Sequence, residues 1–188
     1  MKIFGLQKLT LLDYPGKVAC TVFTGGCNFR CPFCHNASLV THIDPQATME
    51  EEEFLSFLRK RQGILDGVCV SGGEPLLQAD LEPFIVKIKQ LGYLVKLDTN
   101  GSFPDTLERL VKNKQVDYVA MDIKNSREHY ALTSGDEHVP LAQVEKSAAF
   151  LMTGLVPYEF RTTVVKELHN KEDFRAIGQW LSKDSPYF

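Results

Sequence analysis

A repeated alternation of strand-like and helix-like segments limits this chain to a small number of folds. Five apolar, β-branched runs are each followed by a segment with apolar residues at helical spacing. The strand-like runs are Val18–Phe23, Val68–Ser71, Leu94–Asp98, Tyr118–Ile123 and Phe160–Val165. Strand-then-helix units in series predict an α/β fold, with a parallel sheet and helices packed outside it.

Four polar motifs stand directly after four of these strands. They are a cysteine loop at 27–34, Gly-Gly-Glu-Pro at 72–75, Asp-Thr-Asn-Gly at 98–101 and Asp-Ile-Lys at 122–124. The carboxyl ends of parallel strands meet at one edge of the sheet, where the active sites of such folds lie. The sequence therefore predicts that motifs far apart in the chain converge on one site.

The cysteine loop is the most specific of these motifs. Cys27, Cys31 and Cys34 lie in the run Cys-Asn-Phe-Arg-Cys-Pro-Phe-Cys. A [4Fe–4S] cluster normally takes four cysteine ligands, so three thiolates would leave one iron open to bind a small molecule. This spacing favours an enzyme whose chemistry starts at that iron.

Two other uses of the cysteines need weighing. A structural zinc site would need a fourth ligand, and the candidates are Cys20, Cys69 and His35. Cys20 and Cys69 lie within apolar strand-like runs, which is typical of small core residues. A disulfide scaffold is disfavoured, because the chain has 5 cysteines and no secretory signal. An iron–sulfur or zinc-binding module without enzyme activity stays open as the alternative.

The bulk composition indicates one domain, residues 1–188. With 188 residues and 44% hydrophobic content, the chain can bury one substantial core. The formal net charge of -3 and the lack of a basic tract argue against a nucleic acid partner. The sequence has no apolar segment long enough to span a membrane. We therefore expect a cytoplasmic protein, in a compartment where thiols stay reduced.

Three charged side chains at strand ends have both functional and structural interpretations. Asp98 and Asp122 end neighbouring strands and could share a cation, or either could pair with Lys124. Arg161, which we place at the start of the fifth strand, could clamp a ligand carboxylate or form a salt bridge to a nearby acid. Gly72, Gly73 and Glu74 form either a plain turn or a backbone edge for a ligand's ammonium group.

These motifs together resemble one family. Cys27-x-x-x-Cys31-x-Phe33-Cys34 and Gly-Gly-Glu-Pro, on a strand–helix repeat, resemble the radical S-adenosylmethionine (SAM) superfamily. Within it, residues 11–16 (Leu-Leu-Asp-Tyr-Pro-Gly), Cys34-His35-Asn36, Asp-Thr-Asn-Gly and Asp-Ile-Lys are similar to glycyl-radical-enzyme activases. The resemblance covers essentially the whole chain.

The resemblance implies a set of bound groups and their ligands. Cys27, Cys31 and Cys34 would hold a [4Fe–4S] cluster, and SAM would bind its open iron. The Gly-Gly-Glu turn would receive the SAM ammonium, and Phe33 would lie near the adenine. The implied cofactor-binding residues are Phe33, Asn36, Gly72, Gly73, Glu74, Asp98, Asn100, Asp122, Lys124 and Arg161.

Among these residues, the resemblance implies a division of roles. Lys124 and Arg161 would hold the carboxylate and ribose region of SAM. Asp98, Thr99 and Asp122 would frame a monovalent cation site. No catalytic residue is expected beyond the cluster and SAM themselves.

The implied activity is reductive cleavage of SAM to generate a glycyl radical on a partner enzyme. The expected partner is anaerobic ribonucleotide reductase, with a one-electron donor such as flavodoxin. The alternatives are activation of another glycyl radical enzyme, such as a formate lyase, or a small-molecule substrate. The implied fold is a partial (β/α)-barrel, and this chain is expected to lack its last strand, as a C-terminally truncated form would.

Overall fold

The core of the molecule is one unclosed, six-stranded sheet whose spatial order follows the chain, β1 to β6. The computed structural model describes residues 1–44 and 48–188. The strands are β1 Gly5–Thr10, β2 Ala19–Thr24, β3 Gly67–Gly72, β4 Leu94–Thr99, β5 Tyr118–Asp122 and β6 Tyr158–Arg161. The neighbours from β2 to β6 pair in parallel, which confirms the predicted parallel sheet.

Helices follow the parallel strands as the sequence predicts. Among the residues that the structure describes, the α-helices are α1 Ser38–Thr41, α2 Glu51–Arg59, α3 Leu81–Gln90, α4 Pro104–Lys112, α5 Tyr130–Ser134, α6 Leu141–Leu151 and α7 Lys171–Trp180. Helix α7 begins with a capping box formed by Asn170 and Asp173, which satisfies backbone N–H groups in its first turn. No helix in these described ranges is both long and apolar enough to cross a bilayer.

Strand β1 is an element that the sequence patterns did not predict. It runs antiparallel to β2 at the edge of the sheet, with Gly5 opposite Phe23. Three of its consecutive residues, Gln7 to Leu9, are exposed. An edge strand of this kind lacks the apolar run by which the buried strands were recognised.

The last parallel strand has other bounds than expected, and the chain returns beside it near residue 187. Strand β6 runs from Tyr158 to Arg161, whereas the sequence predicted Phe160–Val165; beyond it, the Thr162 hydroxyl donates to the carbonyl of Ile123 at 2.7 Å. Further on, the amide of Phe160 donates to the carbonyl of Pro186 at 2.8 Å, and that of Thr162 to Phe188 at 2.9 Å. Phe160 and Tyr187 form one isolated parallel bridge, so the described residues add no strand beyond β6 and the expected unclosed sheet is confirmed.

The two faces of the sheet carry different chemistry, because side chains alternate along each strand. Val70, Val95 and Val119 are 0% exposed and belong to the hydrophobic core. The residues between them turn to the other face, which is polar. That face carries Ser71, Lys96, Asp98, Asp122, Glu159 and Arg161. We call these six residues the polar face. Four of them, Ser71, Asp98, Asp122 and Arg161, line a cavity at the carboxyl ends of the strands.

Candidate cofactor site at the carboxyl edge of the sheet

A cavity of about 550 Å³ lies at the carboxyl ends of the parallel strands. Its volume is within the range of small-molecule and cofactor sites. All the residues that the sequence singled out line this cavity except Glu74. Those residues are Cys27, Cys31, Phe33, Cys34, Asn36, Gly72, Gly73, Asp98, Asn100, Asp122, Lys124 and Arg161. The motifs after the strands thus converge on one site, as the parallel topology predicts.

The three cysteines of the loop are free thiols, each partly exposed. Burial raises the pKa of Cys27 to about 11, and it also raises the pKa of Cys31, where the charge of Lys124 acts in the opposite direction. Among the described residues, no three His, Cys, Asp or Glu side chains are grouped tightly enough to hold a metal ion. The thiols share a cavity wall, and Cys20 and Cys69 are buried in strands away from it.

The Gly-Gly-Glu turn packs directly against residues 24–26, where the chain leaves β2 and enters the cysteine loop. The amide of Gly73 donates to the carbonyl of Thr24 at 3.0 Å, and the amide of Glu74 donates to that of Gly26 at 2.8 Å. A Cβ on Gly73 would overlap the Gly26 carbonyl, and Gly72 has φ +120° with backbone of Thr24 against it. The glycines are therefore required for two backbone segments to cross closely.

Glu74 differs from its expected role as a direct contact for a ligand's ammonium group. Its side chain is fully buried behind the wall and accepts hydrogen bonds from Leu76 N at 3.0 Å, Thr99 Oγ1 at 2.8 Å and Asn100 N at 2.7 Å. Burial raises the pKa of Glu74 to about 7, although these hydrogen bonds oppose the shift. With both oxygens engaged, Glu74 holds the Asp-Thr-Asn-Gly turn in place and does not face the cavity.

Asn36 and Asn100 anchor the cysteine loop to the other loops of the site. Asn36 Nδ2 donates to the carbonyl of Gly72 at 3.0 Å, and Asn100 Nδ2 donates to Asn28 Oδ1 at 2.9 Å. The same Asn100 amide lies 3.8 Å from the sulfur of Cys27. These contacts fix the cysteine loop against the ends of β3 and β4.

The two strand-end carboxylates, Asp98 and Asp122, share the guanidinium of Arg161. Arg161 donates from Nε and Nη2 to Asp122 at 3.2 and 3.1 Å, and Nη2 lies 3.5 Å from Asp98. Lys124 pairs with Asp122 at 2.9 Å. Burial alone would raise the pKa of Asp122, but Lys124 and Arg161 hold it below its usual value. The salt-bridge alternative is thus observed for Arg161, and the implied monovalent cation site stays a prediction.

The sequence motifs did not include two members of this ion network, Lys96 and Glu159. Lys96 has only 1% of its side chain exposed; it pairs with Asp98 and lies 3.9 Å from Glu159. Glu159 also accepts a hydrogen bond from Tyr118 at 3.0 Å and lies 3.9 Å from Arg161. The spacing of Lys96 and Asp98, two residues apart in a strand, places both on one face and could have identified the pair.

Comparison with known proteins decides the family. The profile described as the Radical SAM superfamily matches residues 21–146, which is more than half of the chain and includes the cysteine loop.

The chain belongs to the radical SAM superfamily.

Its relatives within the superfamily are activating enzymes. The chain is 34% identical to a provisionally named glycyl-radical enzyme activating enzyme of Methanocaldococcus jannaschii, over 94% of this chain and 74% of that protein. It is 32% identical to the pyruvate formate-lyase-activating enzyme of Listeria monocytogenes, over 71% of this chain and 58% of that enzyme. The chain is thus a radical SAM protein of the glycyl-radical-enzyme activating group.

Solved structures show the same fold. Native anSMEcpe with bound AdoMet superposes with a TM-score of 0.65 at 20% identity, over 83% of this chain and 46% of that one. SuiB of Streptococcus suis bound to S-adenosylmethionine gives 0.62 at 19%, over 84% and 36%. This chain thus spans less than half the length of these two neighbours. Radical SAM proteins use a [4Fe–4S] cluster with three cysteine ligands together with SAM.

Proposed function

We propose that this radical SAM protein holds a [4Fe–4S] cluster on Cys27, Cys31 and Cys34 and generates a glycyl radical on anaerobic ribonucleoside-triphosphate reductase. The observation that carries the proposal is the single cavity that three free thiols share with two cationic side chains, Lys124 and Arg161. We further propose that a one-electron donor such as flavodoxin reduces the protein in the cytoplasm, where thiols stay reduced.

The residues of the wall fit the two groups chemically. Thiolates are the ligands that iron–sulfur clusters take, and three of them lie in a loop between β2 and α1. When bound, the cluster and SAM supply a one-electron cleavage of a carbon–sulfur bond that yields a radical able to take hydrogen from glycine. The protein's own residues would bind and orient the cluster and SAM and exclude water from them.

Arg161 retains donors for a ligand carboxylate despite its ion pairs. Its Nε and Nη2 donate to Asp122, whereas Nη1 lies 3.9 Å from its nearest paired acid, Glu159. A guanidinium has five N–H donors, more than the two that Asp122 accepts, and the Arg161 side chain lines the cavity with 33% of its surface exposed. Lys124, paired with the same Asp122, supplies a second positive charge in the wall.

The backbone of the Gly-Gly-Glu turn provides the acceptors for a ligand's ammonium. The carbonyl of Gly72 accepts one hydrogen bond from Asn36 at 3.0 Å, and a carbonyl oxygen has a second lone pair. Gly72 and Gly73 both line the cavity, whereas Glu74 lies behind it. We therefore assign ammonium recognition to the turn's carbonyl groups and the orientation of the turn to Glu74.

The proposal also names which glycyl radical enzyme is the partner. The reductase is favoured because the chain, over essentially its whole length, resembles the activating protein of anaerobic ribonucleoside-triphosphate reductase. A formate-lyase-type glycyl radical enzyme is the second candidate, because pyruvate formate-lyase-activating enzymes of Listeria monocytogenes and Staphylococcus aureus are among the relatives.

Anaerobic electron paramagnetic resonance tests both candidates. The reconstituted, reduced chain and SAM are mixed separately with the reductase and with a formate lyase, and 5′-deoxyadenosine is assayed in each tube. A glycyl radical doublet with the reductase is expected. A doublet only with the formate lyase would transfer the proposal to the second candidate.

Cysteine variants test the site itself. Cys31→Ala should abolish deoxyadenosine formation, whereas Cys20→Ala should retain it, because Cys20 is buried in the core away from the cavity. Deoxyadenosine formation that persists unchanged in Cys31→Ala would overturn the assignment of the cluster ligands. Deoxyadenosine without a doublet on either partner would retain the SAM chemistry and reject both partners.

A further inference from the structure

His169 stands behind the cavity wall in the loop between β6 and α7, outside every motif that the sequence indicated. Its Nε2 lies 2.9 Å from the carbonyl oxygen of Lys124, and its Nδ1 lies 3.1 Å from both the amide nitrogen and the carbonyl oxygen of Val165. A carbonyl can only accept, so Nε2 carries the proton and donates to Lys124. Nδ1 is then free to accept from Val165 N–H, and both ring nitrogens are satisfied.

The faces and edges of the same ring contact two aromatic side chains. Phe33 meets it in an edge-to-face arrangement, with ring centroids 6.3 Å apart and planes at 68°. Phe174 of α7 stacks on it at 5.9 Å and 25°. Aromatic pairs in such arrangements attract each other beyond the effect of the area that they bury. The imidazole is therefore held between the cysteine loop and α7.

A second hydrogen bond anchors the same loop. Asn125 Nδ2 donates to the carbonyl of Leu168 at 2.9 Å, one residue before His169. The turn after β5 is thus bound twice to this loop, at Lys124 and at Asn125. Since Asn125 is fully buried, this second contact is shielded from water and keeps the loop in register with the turn.

We infer that His169 is a positioning residue of the proposed SAM site, which sets Lys124 by its Nε2–H and Phe33 by its ring. The inference rests on the proposed function, because Lys124 and Phe33 line the cavity whereas His169 does not. One side chain thereby couples the loop that carries the cysteines to the cation that follows β5.

Two substitutions separate the two halves of this role. His169→Phe keeps an aromatic ring against Phe33 and removes the donor to Lys124, whereas His169→Gln keeps a donor and removes the ring. His138→Gln is the matched control, because His138 is exposed in the loop before α6.

Hydrogen exchange of the cluster-free protein, followed by mass spectrometry, is the first measurement. We expect His169→Phe to speed exchange about 3- to 10-fold in the segment 122–126, which loses a hydrogen bond. We expect His169→Gln to act mainly on the segment 30–36, which loses its aromatic support. The control should leave both segments as in the wild type.

SAM binding to the cluster-loaded protein is the second measurement. His169→Phe should raise the dissociation constant for SAM about 3- to 10-fold, with the rate of deoxyadenosine formation at saturating SAM nearly unchanged. Such a separation of KM from kcat is expected of a positioning residue; a general loss of folded protein would instead lower the rate at saturation.

The two measurements keep this inference distinct from the proposed function. Wild-type protein that binds no SAM would refute the proposed function and, with it, the role of His169 in a SAM site. If the wild type binds SAM, wild-type exchange and wild-type affinity in both His169 variants would overturn the inference alone. Exchange changes without any change in SAM affinity would likewise reject it, because His169 would then only support the loops.

Discussion

Removal of the buried Lys96 ammonium is the sharpest test of the ion network. Lys96→Met keeps the length and most of the volume of the side chain but deletes its charge. Asp98 then loses its direct ion pair and retains the Ser71 hydroxyl at 3.0 Å and Arg161 at 3.5 Å. Glu159 retains Tyr118 and the more distant Arg161.

The size of the effect follows from burial. Loss of one partner from a buried ion pair costs roughly 3–5 kcal/mol, because the remaining charge stays desolvated. The charge that remains is the Asp98 carboxylate, which is only 16% exposed and therefore stays largely desolvated. Since Arg161 and Ser71 continue to compensate Asp98, we expect the lower end, about 3 kcal/mol of unfolding free energy. The polar face has three cations and three anions if Lys124 is counted, and the variant leaves it with a net charge of −1.

Urea unfolding of the cluster-free, reduced protein measures this loss, with the fluorescence of Trp180, the single tryptophan, as the probe. Lys112→Met is the matched control, since Lys112 forms an exposed ion pair with Glu108 one helical turn away. That change should cost less than about 0.5 kcal/mol. The double variant Lys96→Met/Glu159→Gln should recover part of the loss, because it restores neutrality. Equal costs for Lys96→Met and Lys112→Met would refute the reasoning.

Three further predictions concern the supports of the site. Gly73→Ala should lower the melting temperature strongly because its Cβ overlaps facing backbone, whereas Gly178→Ala, with open space around it, should not; equal melting temperatures would contradict this. The pKa of Glu74 is raised to about 7 in the folded state, so the folded state binds this proton more tightly than the unfolded state does. The free energy of unfolding should therefore fall by about 3 kcal/mol as the pH rises from about 4.5 to 8. In urea titrations, Glu74→Gln should remove this dependence on pH. The hydrogen bond to Asp173 raises the pKa of His129. The stability that this pair contributes is complete below about pH 6.5 and is lost as the pH rises through the folded-state pKa. The melting temperature should therefore change less between pH 6 and 8 in His129→Gln than in the wild type.

The sequence predicted the sheet and the site because both depend on local patterns. Buried parallel strands produce continuous apolar runs, and the loops after them carry the conspicuous polar motifs. Topology alone then brings together residues as distant in the chain as Cys27 and Arg161. The edge strand β1 has no such run, and its pairing with β2 was therefore not visible.

The parts that were missed depend on contacts between distant residues. The spacing of Lys96 and Asp98 is local, but Glu159 is on another strand, so the sequence does not indicate that Glu159 joins their ion pair. His169 is one histidine in a polar loop, and only the fold brings it to Lys124. For Glu74 the motif was recognised, but the direction of its side chain depends on donors from the loop after β4.

The backbone of the Gly-Gly-Glu turn crosses closely over residues 24–26, so the turn and the cysteine loop fit together only as a matched pair. A chimera that takes the cysteine loop from another protein must take the matching turn after β3 as well. A loop graft that separates them brings a side chain or a shifted carbonyl into the backbone crossing. A single crossover in the helices between β2 and β3 separates the two motifs, so recombination among related chains should succeed less often there than at helices after β3.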